Sequence, residues 1–137
     1  MAALANGTRT FPFARHADAR GSLTVAELGS GLPFRPARFF LVHDVPAAAS
    51  RGAHAHRRCC QFAVAVAGSL EIVCEDGRGR RGFRLDRPTE GLYLPPLTWA
   101  ELGDFSAGAV LLVLASEPYE AADYVRDRAE FVRLTAG

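Results

Sequence analysis

The chain has 137 residues, 49% hydrophobic and 23% charged, with a formal net charge of +1. This is the balance of a soluble globular protein long enough to bury a core without staples, and one domain over residues 1–137 is expected. So small a charge gives no bulk attraction to nucleic acid or anionic lipid, and no apolar run approaches the roughly 20 residues that span a bilayer.

In chain order, the opening "MAALANGTRTFPF" lacks the charged start and long apolar stretch of a signal peptide, so a cytoplasmic location is expected. Turn signals then recur at short intervals: "GSGLP", "VPAAASRG", "AGS", "EDGRGRRG", "DRPTEG", "LPP" and "GDFSAG". Short apolar runs lie between them, the pattern of a many-stranded sandwich or barrel. No strong helical period appears before about residue 117. The tail "EPYEAADYVRDRAEFVRL" could hold a short helix with Tyr124, Arg128 and Phe131 on one side. The expectation is an all-β domain with a short helical C-terminus.

Within "CQFAVAVAGSLEIV", alternation along a strand puts Phe62, Val64 and Val66 on one face and Gln61, Ala63, Ala65 and Ala67 on the other. If the alanine face points into a barrel, its small side chains leave room and Gln61 becomes a polar group at the edge of a cavity. The alternative turns the valine face inward and leaves the alanines against a neighbouring chain. The first arrangement is the one expected.

Cys59, Cys60 and Cys74 form neither a disulfide framework nor a CxxC zinc pattern, and read as buried thiols. All sixteen basic residues are arginine. That excludes a lysine Schiff base or general base, and leaves fixed guanidinium forks suited to phosphate or carboxylate.

The segment "RGAHAH", Arg51–His56, places His54 and His56 on one face of a strand. Two adjacent imidazoles can chelate a metal or serve as acid and base. The layout Gly, HxH, Gln61, Gly68 resembles the first motif of the cupins, small jelly-roll β-barrels. Metal-binding cupins carry a glutamate at the Gln61 position and a histidine in a second motif, where this chain has Trp99 and Ala100. A catalytic metal generally needs three good protein ligands, and a neutral amide is a weak one. His54 and His56 are therefore expected to move protons at a metal-free site.

"RGSL" at Arg20–Leu23, "RGAHAH", "GLYLPPLTW" at Gly91–Trp99, "DFS" at Asp104–Ser106 and "LLVLASEPYEAADYVRD" at Leu111–Asp127 together resemble the dTDP-sugar 3,4-ketoisomerases, also grouped as WxcM-like C-terminal domains. The similarity runs in order from about residue 11 to 133. It implies a cupin-type jelly-roll β-barrel and conversion of a dTDP-linked 4-keto-6-deoxy sugar to its 3-keto isomer through an enediol, with no metal or other cofactor. It also implies that His54 carries the proton between carbons, with His56 assisting as acid or by orienting substrate. Arg20, Arg38 and Arg51 fall at arginine positions of the family and would clamp the diphosphate; each is otherwise a solvated surface charge. Trp99 would stack on base or sugar, or fill the core. The family further implies a homodimer with exchanged N-terminal strands.

Two departures stand out. The family tyrosine in the strand before HxH is Phe40 here, and the histidine that often follows the tryptophan is Ala100. Tyr93, His56 or a water must then supply the missing proton relay, or the protein is an altered or inactive sugar-nucleotide binder. A metal-dependent cupin enzyme is the remaining alternative.

Overall fold

The structure is a computed structural model that describes residues 3–27 and 30–136. Leu28 and Gly29, which begins "GSGLP", lie outside the described residues, as do the first two residues and Gly137.

Strands β1 (Arg9–Pro12), β9 (Glu90–Leu94), β6 (Gln61–Ala67), β11 (Val110–Ala115) and β4 (Arg38–His43) form one five-stranded sheet in that spatial order. The second sheet has the order β12 (Tyr124–Val125), β5 (Arg51–His56), β10 (Trp99–Gly103), β7 (Leu70–Glu75) and β8 (Arg80–Leu85). Neighbouring strands pair antiparallel throughout. This is the all-β, jelly-roll type of architecture expected, with one short C-terminal helix, α1 (Arg128–Thr135).

The period-2 pattern of β6 resolves as expected. Ala63 and Ala65 face the space between the sheets, where Leu70, Ile72, Phe83, Leu92, Leu111 and Val113 complete the main core. Phe62 and Val64 face outward and are covered by Leu32, Phe11, Phe13 and Phe34. Gly91 is what lets that outer layer close, because a Cβ there would stand 2.0 Å from the Phe62 ring.

The tail departs from expectation. Tyr124 is not helical but pairs with His56 as part of β12, and the helix begins only at Arg128, capped by the Asp127 carboxylate accepting from Ala129 N at 3.2 Å. Strand pairing prevails because β5 has an open edge whose N–H and C=O groups need partners. Phe131 of α1 then seals Trp99, Ala55 and Val125 on the outside of the second sheet. Among the described residues, strands β2 (Ala14–Asp18) and β3 (Gly21–Val25) pair only with each other, and they are exposed along most of their length.

Candidate active site

A cavity of about 110 Å³ opens between the sheets, lined by Phe40 and Val42 of β4, Arg51 and His54 of β5, Gln61 and Ala63 of β6, and by Leu94, Ala100, Leu102, Leu111 and Val113. Its walls are apolar apart from one guanidinium, one imidazole and one amide, the usual pattern of few polar groups in an apolar cleft. Small residues make the space. Ala63 and Ala100 face it where larger side chains would fill it.

Arg51 and His54 lie three residues apart, so strict alternation would send them to opposite faces. A bulge at Ala53, whose φ is 60°, corrects the phase: Ala100 pairs with His54, while the next residue, Glu101, pairs with Gly52. Gly52 is also required, since it sits at φ 88° with the Ala100 carbonyl oxygen 2.8 Å from where a Cβ would be.

The His54 and His56 rings meet edge to face, centroids 5.1 Å apart, and Tyr124 packs on both, at 5.0 and 4.4 Å. His54 Nδ1 and His56 Nε2 are buried without a hydrogen-bond partner. Burial holds the His54 pKa below its ordinary value, against an opposing backbone interaction at Gly52 and with some help from the Arg126 charge. His56 is only 5% exposed; burial, then the neighbouring His54, lower its pKa to about 4, with Asp123 opposing and Arg38 adding to the effect. Both rings are therefore neutral near pH 7, the state in which imidazole accepts a proton.

Asp123, which no sequence spacing connects with the histidines, supports His56. Its carboxylate accepts from Arg58 N at 2.7 Å, Cys59 N at 3.2 Å and His56 Nδ1 at 3.3 Å. His56, Cys59 and Asp123 bring one ligand atom each within 4.8 Å of one another and are the group best placed to hold a metal ion among the described residues. The Asp123 carboxylate already accepts these three hydrogen bonds and the Cys59 thiol donates to the Cys60 carbonyl at 3.3 Å, while His56 Nε2 is unpartnered. In the cavity itself, a single imidazole and an amide are a poor ligand set for a catalytic metal.

The structure brings His54, Arg51 and Gln61 of the expected residues together at the cavity, with His56 against His54. Arg38 stands beside it, its guanidinium 5.3 Å from the Phe40 ring centroid and its Nε donating to the Glu117 carbonyl at 3.0 Å. Arg20 is in the β2–β3 turn, paired with Asp18 at 2.8 Å. Tyr93 lies off the cavity: it belongs to the outer aromatic layer, its hydroxyl donating to Cys60 Sγ at 3.6 Å, and burial with that bond raises its pKa to about 12. Trp99 also lies off it, under α1, its Nε1 donating to Glu101 at 3.4 Å. Both follow from alternation, since Leu94 and Ala100, their neighbours of opposite parity, take the inward positions.

Residues 6–136 match the family described as FdtA: WxcM-like, C-terminal. The chain belongs to this family. A curated relative, TDP-4-oxo-6-deoxy-alpha-D-glucose-3,4-oxoisomerase of Aneurinibacillus thermoaerophilus, is 36% identical over 90% of this chain and 89% of its own. Among solved structures, the fold is similar to QdtA, a sugar 3,4-ketoisomerase of Thermoanaerobacterium thermosaccharolyticum in complex with TDP, at TM-score 0.92 and 34% identity over 96% of each chain. A histidine-to-asparagine variant of that enzyme in complex with TDP-4-keto-6-deoxyglucose gives TM-score 0.90 and 33% identity over 93% of each chain.

Proposed function

We propose that this protein catalyses the metal-independent isomerisation of dTDP-4-keto-6-deoxyglucose to a dTDP-3-keto-6-deoxyhexose through an enediol, in cytoplasmic deoxysugar biosynthesis. The observation that carries the reading is His54, a neutral imidazole whose buried Nδ1 has no partner, set in the wall of an apolar cavity. A hydrogen beside a ketone is acidic enough for such a base to remove it, and a positioned acid or base contributes roughly 10²–10⁴-fold. Returning the hydrogen to the adjacent carbon, with the C3 hydroxyl proton passing to the C4 oxygen, moves the carbonyl by one position. In this reading Gln61 and Arg51, which line the same cavity, bind the sugar oxygens and the diphosphate. Three free cysteines suit a reducing compartment.

A cavity of about 110 Å³ accommodates the reacting edge of a sugar, not a whole nucleotide sugar. The nucleotide then lies outside it, towards Arg51 of the cavity wall and Arg38 beside the Phe40 ring. A second copy of the chain would complete that surface. Phe39 and Leu41 of the edge strand β4 are 66% and 49% exposed, and among the described residues the β2–β3 hairpin that carries Arg20 joins neither five-stranded sheet. A homodimer in which N-terminal strands exchange accounts for both.

The test is incubation of purified protein with dTDP-4-keto-6-deoxyglucose in deuterated water. Deuterium is expected at C3 of recovered substrate and at C4 of a 3-keto product; wild type behaving like His54→Ala would refute the reading. One observation favours a second reading: Phe40 presents no hydroxyl to the cavity. A non-catalytic binder would take up dTDP yet exchange no C3 hydrogen at any pH.

A further inference from the structure

Strand order gives the depth of each cavity wall. In one sheet the edge strand β4 is followed inward by β11 and then β6; in the other, β5 lies beside the two-residue edge strand β12 and is followed by β10 and β7. Phe40, Arg51 and His54 therefore stand in the outermost layer, Val113 and Ala100 in the next, and Gln61 in the third. Arg51 is exposed, so the entrance lies on the β4–β5 side. A pyranose carries its diphosphate on C1, and C4 is the ring atom opposite. With the nucleotide outside, the C4 ketone goes in first.

Three lining residues carry polar side chains: Arg51, His54 and Gln61. Two are accounted for, Arg51 at the entrance and His54 as the base. Gln61 is the innermost of the three. It shares the inward parity of Ala63 and Ala65, is half-buried, and its amide makes no hydrogen bond with any described residue. Its partners across the sheet, Leu94 and Ala115, bring only hydrocarbon. An amide offers two N–H donors and no charge. Negative charge gathering on an oxygen at this depth has that one donor group to meet, in walls whose low polarity strengthens the contact.

We propose that Gln61 is a catalytic residue of the isomerisation, its amide N–H donating to the substrate's C4 oxygen and stabilising the enediolate. This rests on the isomerase reading above. As His54 takes the C3 hydrogen, the electron pair of that bond forms the C3–C4 double bond and the carbonyl pair moves onto the C4 oxygen. Gln61 forms no covalent bond and gives up no proton; it holds the oxyanion until the C3 hydroxyl proton reaches it. The hydrogen then returns from His54 to C4, and the carbonyl forms again at C3. No oxidant or second substrate enters the balance. A hydrogen bond to an oxyanion is stronger than one to a neutral ketone, so the contact favours the transition state over bound substrate.

Two measurements test it. In Gln61→Leu, kcat for 3-keto formation and the rate of C3 deuterium exchange should fall together by roughly 10²–10³-fold, while KM and the Kd for dTDP stay within about threefold of wild type. If Gln61→Leu fails to fold, as judged by circular dichroism, or no longer takes up dTDP, Gln61→Ala replaces it with the same expectation. In His54→Ala, which lacks the base, the infrared stretch of the bound C4 carbonyl should lie at lower wavenumber than in the double variant His54→Ala with Gln61→Leu. A kcat loss below about tenfold, a loss confined to KM, or identical carbonyl stretches would overturn the proposal. Absence of C3 exchange in wild type would refute the isomerase reading instead, and the carbonyl stretch of bound ketone would still report on the Gln61 contact.

Discussion

Phe40 and His54 line the same cavity from opposite sheets, a phenyl ring on β4 and an imidazole on β5. The wall that could offer a hydroxyl to the reacting oxygens is thus hydrocarbon. Phe40→Tyr is expected to raise kcat for ketone migration by about tenfold or more, because a placed acid lowers the barrier at the oxygen. Leaving that hydroxyl unpaired in an apolar wall would lower stability by about 1–3 kcal/mol. Steady-state kinetics with thermal unfolding checks both; an unchanged kcat would show that position 40 does not face the reacting oxygens.

Stability should fall on the acid side. The His56 pKa is lowered from 6.5 to about 4 in the fold, and that of His54 is lowered too, so between these values the unfolded chain binds more protons than the folded one. Stability therefore rises with pH across this window and is lost as pH drops from about 6.5 towards 4. At about 1.4 kcal/mol per pKa unit, His56 alone accounts for a loss of up to ~3 kcal/mol. Denaturant unfolding at pH 7 and pH 4.5 measures it, and His56→Gln should flatten the dependence.

Gly91→Ala should destabilise the fold by about 1–3 kcal/mol or prevent its formation, since the added carbon would lie 2.0 Å from the Phe62 ring, which is packed under Phe11 and Phe13. Chemical denaturation reads this directly. A tolerated substitution would mean that the outer aromatic layer is loose.

Phe39→Asp paired with Leu41→Lys should convert a dimer to monomer at micromolar concentration, because both side chains are exposed on the outer face of an open edge strand. Sedimentation velocity distinguishes the states. A wild-type protein that is already monomeric would leave the exposed apolar face without the proposed partner.

The alternation at Gln61–Ala67 was enough to say which face of β6 opens a cavity, because small side chains occur at every second position and leave the space themselves. The HxH spacing likewise placed both imidazoles on one face. Asp123 was not legible, since it meets His56 across 67 positions of chain and is brought there by the pairing of β12 with β5 and by backbone N–H groups of residues 57–59. Tyr93 and Trp99 drew attention by side-chain type, whereas the parity of their strands already turned them outward. The tail misled for a related reason. Its helical spacing is real at Phe131, but an unpaired strand edge claimed Tyr124 first.

The extra residue at Ala53 makes the inside and outside of β5 depend on a strict count. A one-residue deletion there would restore regular alternation, and either the guanidinium or the imidazole pair would then rotate towards solvent. Swapping the side chain at Ala53 leaves that count intact, so the position should tolerate changes of identity compatible with its left-handed backbone far better than changes of length. A methyl group with no chemistry of its own thereby keeps cation and proton carrier in register.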